Sequence, residues 1–197
     1  MLNAFTALPY KKFVSGTTLR RPTLEQAINV TLNDPAPLVM TDFEHVIPIT
    51  ELPTLTLPEA NDRMITYGVR LLFVTKNDDT ILGIITANDI LGERPIKHIQ
   101  KYGGCFNEIT VNDVMTKRSQ INAIAYSDLL NASVGQLIKT MKMFDRQHAL
   151  VVEGETHAVV RGLLSATRIS QQLGIKLEPS NRARTFQELE SALMSAA

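Results

Sequence analysis

Two short segments of this chain place hydroxyl and charged side chains at matching positions. Thr86 and Asp89 lie three residues apart in "GIITANDIL" (83–91), and Ser165 and Arg168 stand at the same spacing in "GLLSATRIS" (162–170). In each, an apolar run after a glycine leads to a hydroxyl residue and then to a stretch suited to begin a helix. The first turn of a helix has unpaired backbone N–H groups at the positive end of its dipole, a place that phosphate favours. A threonine hydroxyl adds a donor there. An ionised aspartate one turn along only accepts hydrogen bonds, so it can take them from two neighbouring ribose hydroxyls. Thr86 and Asp89 therefore have the types and spacing to hold the phosphate and ribose of a nucleotide. The same spacing describes a capping box with Asp in place of Glu, and the two roles are compatible. Arg168 cannot accept from a ribose, and a cation near a helix start costs about 0.3–1 kcal/mol. It can bind a phosphate or carboxylate or point into solvent. The expectation is an altered or empty second site, with Ser165 left to cap its helix.

Other chemistry is sparse. His45, His98, His148 and His157 are scattered without metal-ligand spacing, so no metal site is expected. Cys105 follows two glycines and has no evident base beside it; it reads as a bystander thiol. No serine sits in a nucleophile elbow, and no Walker loop or dinucleotide fingerprint is present. Without a paired acid and base or an activated nucleophile, no catalytic residues are assigned and the chain is not expected to be an enzyme.

The elements that must position these residues come in duplicate. "VMTDF" (39–43) returns as "VMTKR" (114–118), "RLLFV" (70–74) as "HALVV" (148–152), and the glycine-led segments follow in the same order. In the first copy "VIPITEL" (46–52) is predicted as a strand. Thr56 and Glu59 form a capping box, Leu57, Ala60, Met64 and Tyr67 mark a helix face, and Gly68 stops the helix. "RLLFVT" and "TILGIIT" then make a hairpin through "KNDD", and "ANDILG" is a short helix. The second copy repeats this: "INAIA" (121–125) as strand, Ser133 and Gln136 as capping box, and Val134, Leu137, Ile138 and Met141 as helix face. A hairpin around Gly154 and a helix ending at Gly174 follow. "SDLLN" (127–131) has no counterpart and is read as an inserted turn. Met141 and Met143 suit core or dimer packing rather than a cofactor. Residues 22–30, with Pro22 near the start, and 184–194, with Phe186, Leu189 and Leu193 at helical spacing, are flanking helix candidates. The latter is either a packed surface helix or one that docks a partner.

A duplicated β-α-β-β-α unit whose apolar strand ends in Gly, two apolar residues, Thr or Ser, two residues and Asp resembles the cystathionine-β-synthase (CBS) domain. Two in tandem resemble a Bateman module, over about Val39 to Ile175. The resemblance implies an α+β fold: two units related by a pseudo-twofold axis and packed sheet to sheet, with two clefts between them. The parts are a short N-terminal segment (1–38), unit one (39–92), a connector with the flexible "YGGC" (93–112), unit two (113–175) and a C-terminal tail helix (176–197). It also implies an adenosine-containing ligand (AMP, ADP, ATP or S-adenosylmethionine) rather than a required cofactor. The expected use is regulatory, often in a homodimer and read by an unknown effector protein. Thr86 and Asp89 match the family's phosphate and ribose residues. By the same resemblance Arg70 would contact phosphate, with His148 as its counterpart in the second unit, and Ile47, Ile49 and Thr50 would border the base. Each has a plainer reading: a surface salt bridge for Arg70, ordinary core for the strand residues. Ser165, Arg168 and His148 would line the second cleft. The competing expectation is a structural or interaction protein with vestigial clefts.

Composition bounds these readings. The chain has 197 residues, 44% hydrophobic and 20% charged, with a formal net charge of zero. Such a charge disfavours non-specific nucleic-acid binding. No apolar stretch approaches the roughly 18 residues of a membrane span. The lysines of "MLNAFTALPYKKFVSG" follow its apolar part, unlike a secretory signal, and a lone cysteine cannot form an internal disulfide. A cytoplasmic protein is expected.

Overall fold

The computed structural model describes residues 29–78, 80–144, 147–155 and 158–174. The chain enters on a two-residue strand, β1 (Thr41–Asp42), and builds a first unit from β2 (Thr50–Glu51), α1 (Leu57–Tyr67), β3 (Leu71–Thr75), β4 (Ile81–Thr86) and α2 (Ala87–Leu91). Helices α3 (Glu93–Tyr102) and α4 (Val111–Val114) lead to a second short strand, β5 (Thr116–Lys117). The second unit follows as β6 (Ala123–Ala125), α5 (Tyr126–Leu130), α6 (Val134–Met143), β7 (His148–Glu153), β8 (Val159–Ser165) and α7 (Ala166–Gln172). The β-α-β-β-α order expected from the repeat is present twice.

Local signals explain the helices. Glu59 accepts from the backbone N–H of Thr56 at 2.9 Å, closing the capping box of α1, and Gly68 ends that helix in the left-handed region at φ 65°. Ser133 and Gln136 cap α6 in the same way. Leu57, Ala60 and Met64 of α1 are buried, as are Val134, Leu137, Ile138 and Met141 of α6. Tyr67, placed on the α1 face by its spacing, is instead half exposed, at the last residue of the helix.

The strands form two four-stranded sheets, in the orders β1-β8-β7-β6 and β5-β4-β3-β2. The two orders correspond element for element, which is the pseudo-twofold relation. Each sheet, however, borrows its outer strand from the other unit. β1 pairs antiparallel with β8, Asp42 opposite Gly162, and β5 pairs with β4, Lys117 opposite Gly83. The glycine of each repeated motif sits where the borrowed strand crosses. A Cβ on Gly83 would collide with the Thr116 carbonyl oxygen, and one on Gly162 would lie 2.6 Å from the Met40 sulfur and 2.8 Å from the Thr41 carbonyl oxygen. The β1 crossing is also held by charge. Arg161 donates to both carboxylate oxygens of Asp42, at 2.9 and 3.0 Å, and keeps that carboxyl well down, near a pKa of about 2.

The sheets face each other through Leu71 and Phe73 of β3 and Leu150 of β7, all nearly buried, with Phe43 set edge-on to Phe73 at 5.5 Å. The helices cover the outer faces, where Leu57, Leu72, Val74 and Ile85 form one core and Leu137, Val151, Leu164 and Ile169 the other. This is the sheet-to-sheet α+β arrangement expected. Burying each such side chain contributes roughly 1.5–3 kcal/mol.

Four local expectations change. The segment 46–52 pairs as a strand only at Thr50–Glu51, because a turn after Asp42 holds the chain at His45 and Val46, and Pro48 has no N–H to donate. "SDLLN" is mostly helix: α5 forms because Leu129 anchors it in the core. The connector is also helical over α3, and Gly103 and Gly104 of "YGGC", both at positive φ, end that helix. Met141 is core, whereas Met143 is exposed. The tail segment 184–194, Ile175, His157 and nearly all of 22–30 lie outside the described residues. Among those described, no helix is long and apolar enough to cross a membrane.

Candidate functional site

At the end of β4 the chain turns into α2, and Thr86 is the last strand residue and the cap of the helix. Asp89 Oδ2 accepts from the Thr86 backbone N–H and from its hydroxyl, both at 2.8 Å, while Thr86 Oγ1 accepts from the Asp89 N–H at 3.3 Å. The capping box weighed from the sequence is formed. The other carboxylate oxygen, Oδ1, meets Arg94 Nη1 of α3 at 3.0 Å. The same guanidinium nitrogen donates to the Val114 carbonyl at 2.7 Å and to the Thr116 hydroxyl at 3.1 Å, tying α3 to the borrowed strand β5.

These groups line a cleft of about 200 Å³ between the units. Its apolar wall is Ile84 and Ile121; Thr86, Asp89 and Arg94 form one polar side, and Gln120, Asn122, Gln147 and His148 of the second unit form the other. Asp89 is largely buried. An ionised carboxylate offers about four acceptor positions. Three are taken, by the Thr86 N–H, the Thr86 hydroxyl and Arg94. Helix α2 spans only five residues, so its dipole is short, and the cation here is Arg94.

His148 is held neutral. Burial and, to a lesser extent, the positive charge of Arg70 bring its pKa down to about 4, with Asp89 partly opposing both. An imidazole in the unfolded chain titrates near 6.5. Below that value the unfolded state takes up a proton that the folded state refuses. Stability from this residue is therefore complete above pH 6.5 and declines as pH falls towards 4. Urea unfolding of His148→Gln should accordingly show a shallower loss of stability between pH 6.5 and 4 than the parent chain. Equal slopes would contradict the buried neutral imidazole.

The corresponding junction after β8 differs. Ser165 makes no side-chain cap bond, and Arg168 reaches away from the helix start to donate to the Thr41 hydroxyl of β1 at 2.8 Å. Arg168 to Thr41 mirrors Arg94 to Thr116. The second junction thus keeps the guanidinium–threonine bond and has no carboxylate.

Residues 39–95 match the family model of the CBS domain. The chain carries a CBS domain. The second unit repeats the fold of the first, the arrangement of a tandem CBS pair. The pair is similar to an uncharacterized conserved protein of Pyrococcus horikoshii, at 20% identity over 77% of this chain and 100% of that one, with a TM-score of 0.54. AcuB of Vibrio cholerae aligns at 18% identity over 72% of this chain and 92% of its own, with a TM-score of 0.50. The CBS domain pair of protein MJ0100, whose structure is a complex with 5′-methylthioadenosine and S-adenosyl-L-methionine, aligns at 19% identity over 69% of this chain and 96% of that one, with a TM-score of 0.48. At these identities the first two share the fold with this chain. No curated protein matches.

Within the CBS pair, the strand exchange regroups the residues singled out from the sequence. Thr86 and Asp89 share their cleft with the start of unit two, at Gln120, Ile121 and Asn122, rather than with Ile47 and Thr50. Ile47 and Thr50 line a separate cavity, and Ile49 packs on the first unit's core. The equivalence of Arg70 with His148 is off by one. Leu71 opposes Thr86 and His148 opposes Ser165, so His148 corresponds to Leu71. Arg70 corresponds to Gln147, as the matching bonds Ala87 N–H to Arg70 O and Ala166 N–H to Gln147 O require. A shift of one residue along a strand reverses its faces. That is why His148 belongs to the first cleft and not the second. Arg70 is exposed and adds its charge from across the pair.

Sequence reasoning missed Arg94. Its only signal was an arginine five residues beyond Asp89, in a stretch read as connector. It also missed that Asp42, Glu44 and His45 converge, their ligand atoms within 4.8 Å of one another. Arg161 lies 2.9 Å from Asp42 and 2.8 Å from Glu44, so these carboxylates already face a cation. Cys105 is exposed, and its backbone N–H donates to Glu108 at 3.2 Å.

Proposed function

We propose that this CBS pair is a non-enzymatic regulatory module that binds an adenosine-containing ligand, AMP, ADP, ATP or S-adenosylmethionine, in the cleft of Thr86 and Asp89. The observation that carries the reading is the Asp89 carboxylate, largely buried at the mouth of an inter-unit cleft and held between Thr86 and Arg94. One acceptor position remains for a ribose hydroxyl. A second ribose bond requires Arg94 to leave Oδ1, which also enlarges a cleft smaller than the roughly 300–1,000 Å³ usual for ligands. The released guanidinium then meets the phosphate, and Ile84 and Ile121 offer the base an apolar wall. Ligand entry thereby breaks the link from α3 to β5 and shifts the two units, or a dimer of them, between arrangements. The shift is limited by the ligand's differential affinity for the two states.

Arg94 being already paired, in a cleft of about 200 Å³, favours the second reading: an interaction protein whose clefts no longer bind. A thermal-unfolding screen with AMP, ADP, ATP and S-adenosylmethionine separates the two. A ligand present at a hundredfold its dissociation constant adds about 2.7 kcal/mol of stability. The proposal also expects Arg94→Ala to tighten adenosine binding and narrow the preference for AMP over adenosine. A flat screen with both the parent chain and Arg94→Ala would favour the interaction protein.

A further inference from the structure

A second, larger cavity of about 780 Å³ lies between the sheets, toward the hairpin turns. It falls within the usual range for small-molecule sites. Its wall includes three pairs of residues equivalent under the pseudo-twofold relation. Phe73 and Leu150 face each other from β3 and β7, Ile81 and Val160 from β4 and β8, and Phe43 and Arg118 follow the borrowed strands β1 and β5. Both members of each pair line one space, so the cavity straddles the axis. The cleft of Thr86 lies on one side of it, and Thr86 is five residues along β4 from Ile81, roughly 16 Å away. Ile121 and Leu150 border both spaces and partition them.

The last pair is unequal. Where the first unit supplies the Phe43 ring, set edge-on to Phe73, the second supplies the Arg118 guanidinium. Arg118 is exposed, is the only charged residue lining the cavity among the described residues, and forms no ion pair or side-chain hydrogen bond among them. The rest of the lining combines aliphatic and aromatic side chains with the hydroxyl residues Thr50, Thr75 and Thr80. The space is therefore lined mainly by apolar side chains, with one unpaired cation, the exposed Arg118, among the described residues.

We infer that this axial cavity binds an apolar monocarboxylate, its hydrocarbon body against Phe43, Phe73, Ile81 and Val160 and its carboxylate on Arg118. The site is distinct from the adenosine cleft, from which Ile121 and Leu150 separate it. A carboxylate on a guanidinium makes paired charge-assisted bonds, and the body gains from leaving water.

Calorimetric titration of the full chain with hexanoate, octanoate, decanoate and 1-octanol tests it. Affinity should rise about tenfold for each two methylenes added, and octanoate should bind about tenfold more tightly than 1-octanol. Arg118→Gln should bring octanoate down to the level of 1-octanol. Val160→Trp, which fills the cavity, should remove binding of both while a cooperative thermal transition persists; Ile81→Trp serves if that variant does not fold. Absence of octanoate binding, equal affinity for octanoate and octanol, an unchanged affinity in Arg118→Gln, or undiminished binding in a folded cavity-filled variant would each overturn the inference.

Discussion

Replacing Asp89 with alanine should weaken adenosine-nucleotide binding at least about a hundredfold while the chain remains folded. Hydrogen bonds to a charged group are worth roughly 1.5–3 kcal/mol each, and the proposed site asks this carboxylate for two from the ribose. At about 1.4 kcal/mol per tenfold, losing both exceeds two orders of magnitude. The substitution also removes the cap of α2, because the Thr86 N–H and hydroxyl lose their common acceptor. A lost cap costs about 1 kcal/mol, which for a domain of this size lowers the melting temperature by roughly 2–4 °C. Asp89→Asn separates the effects, since its amide oxygen can still accept from Thr86 but carries no charge for Arg94. Calorimetry paired with thermal unfolding reads both. An Asp89→Ala protein that melts a few degrees lower yet binds as tightly as the parent would leave this residue only its capping role.

Gly83→Ala should be the most damaging single methyl added to the described residues. The new Cβ would have to enter space held by the Thr116 backbone, with the Met115 sulfur 3.1 Å away on the same side. A backbone oxygen in a sheet cannot swing aside as a side chain can. β5 must separate from β4, giving up the pairing of Gly83 with Lys117 and Ile84 with Thr116. Overpacking of this kind costs about 1–3 kcal/mol, and the lost pairing adds to it. The expected fall in melting temperature is roughly 5–10 °C. A Gly83→Ala protein within a degree of the parent would contradict the close crossing of the borrowed strand.

The repeat was the readable part of this molecule. Capping boxes at Thr56 and Ser133, the stop at Gly68 and the buried run from Leu71 are local signals, and the structure follows them. What joins the units is non-local. Nothing in "VMTDF" or "VMTKR" says that each segment pairs with the strand of the other copy. The sequence alone groups cleft residues by unit, which puts Ile47 and Thr50 beside Asp89, whereas the folded chain brings Gln120 and Ile121 there. The match of "RLLFV" to "HALVV" was a match of apolar composition, which tolerates a slip of one; only the ladder, with His148 opposite Ser165, fixes the register. Arg94 went unseen because its partners, Asp89, Val114 and Thr116, come together only once α3 has folded back over the exchanged strand.

Whether the Asp89 cleft takes a nucleotide can be seen in crystals of the full chain grown with saturating AMP and, separately, with S-adenosylmethionine. At least one of them should show density in the first cleft, with ribose hydroxyls on Asp89 and Arg94 moved off Oδ1. An unoccupied cleft with the Asp89–Arg94 pair intact in both crystals, or a nucleotide bound elsewhere on the pair, would contradict it.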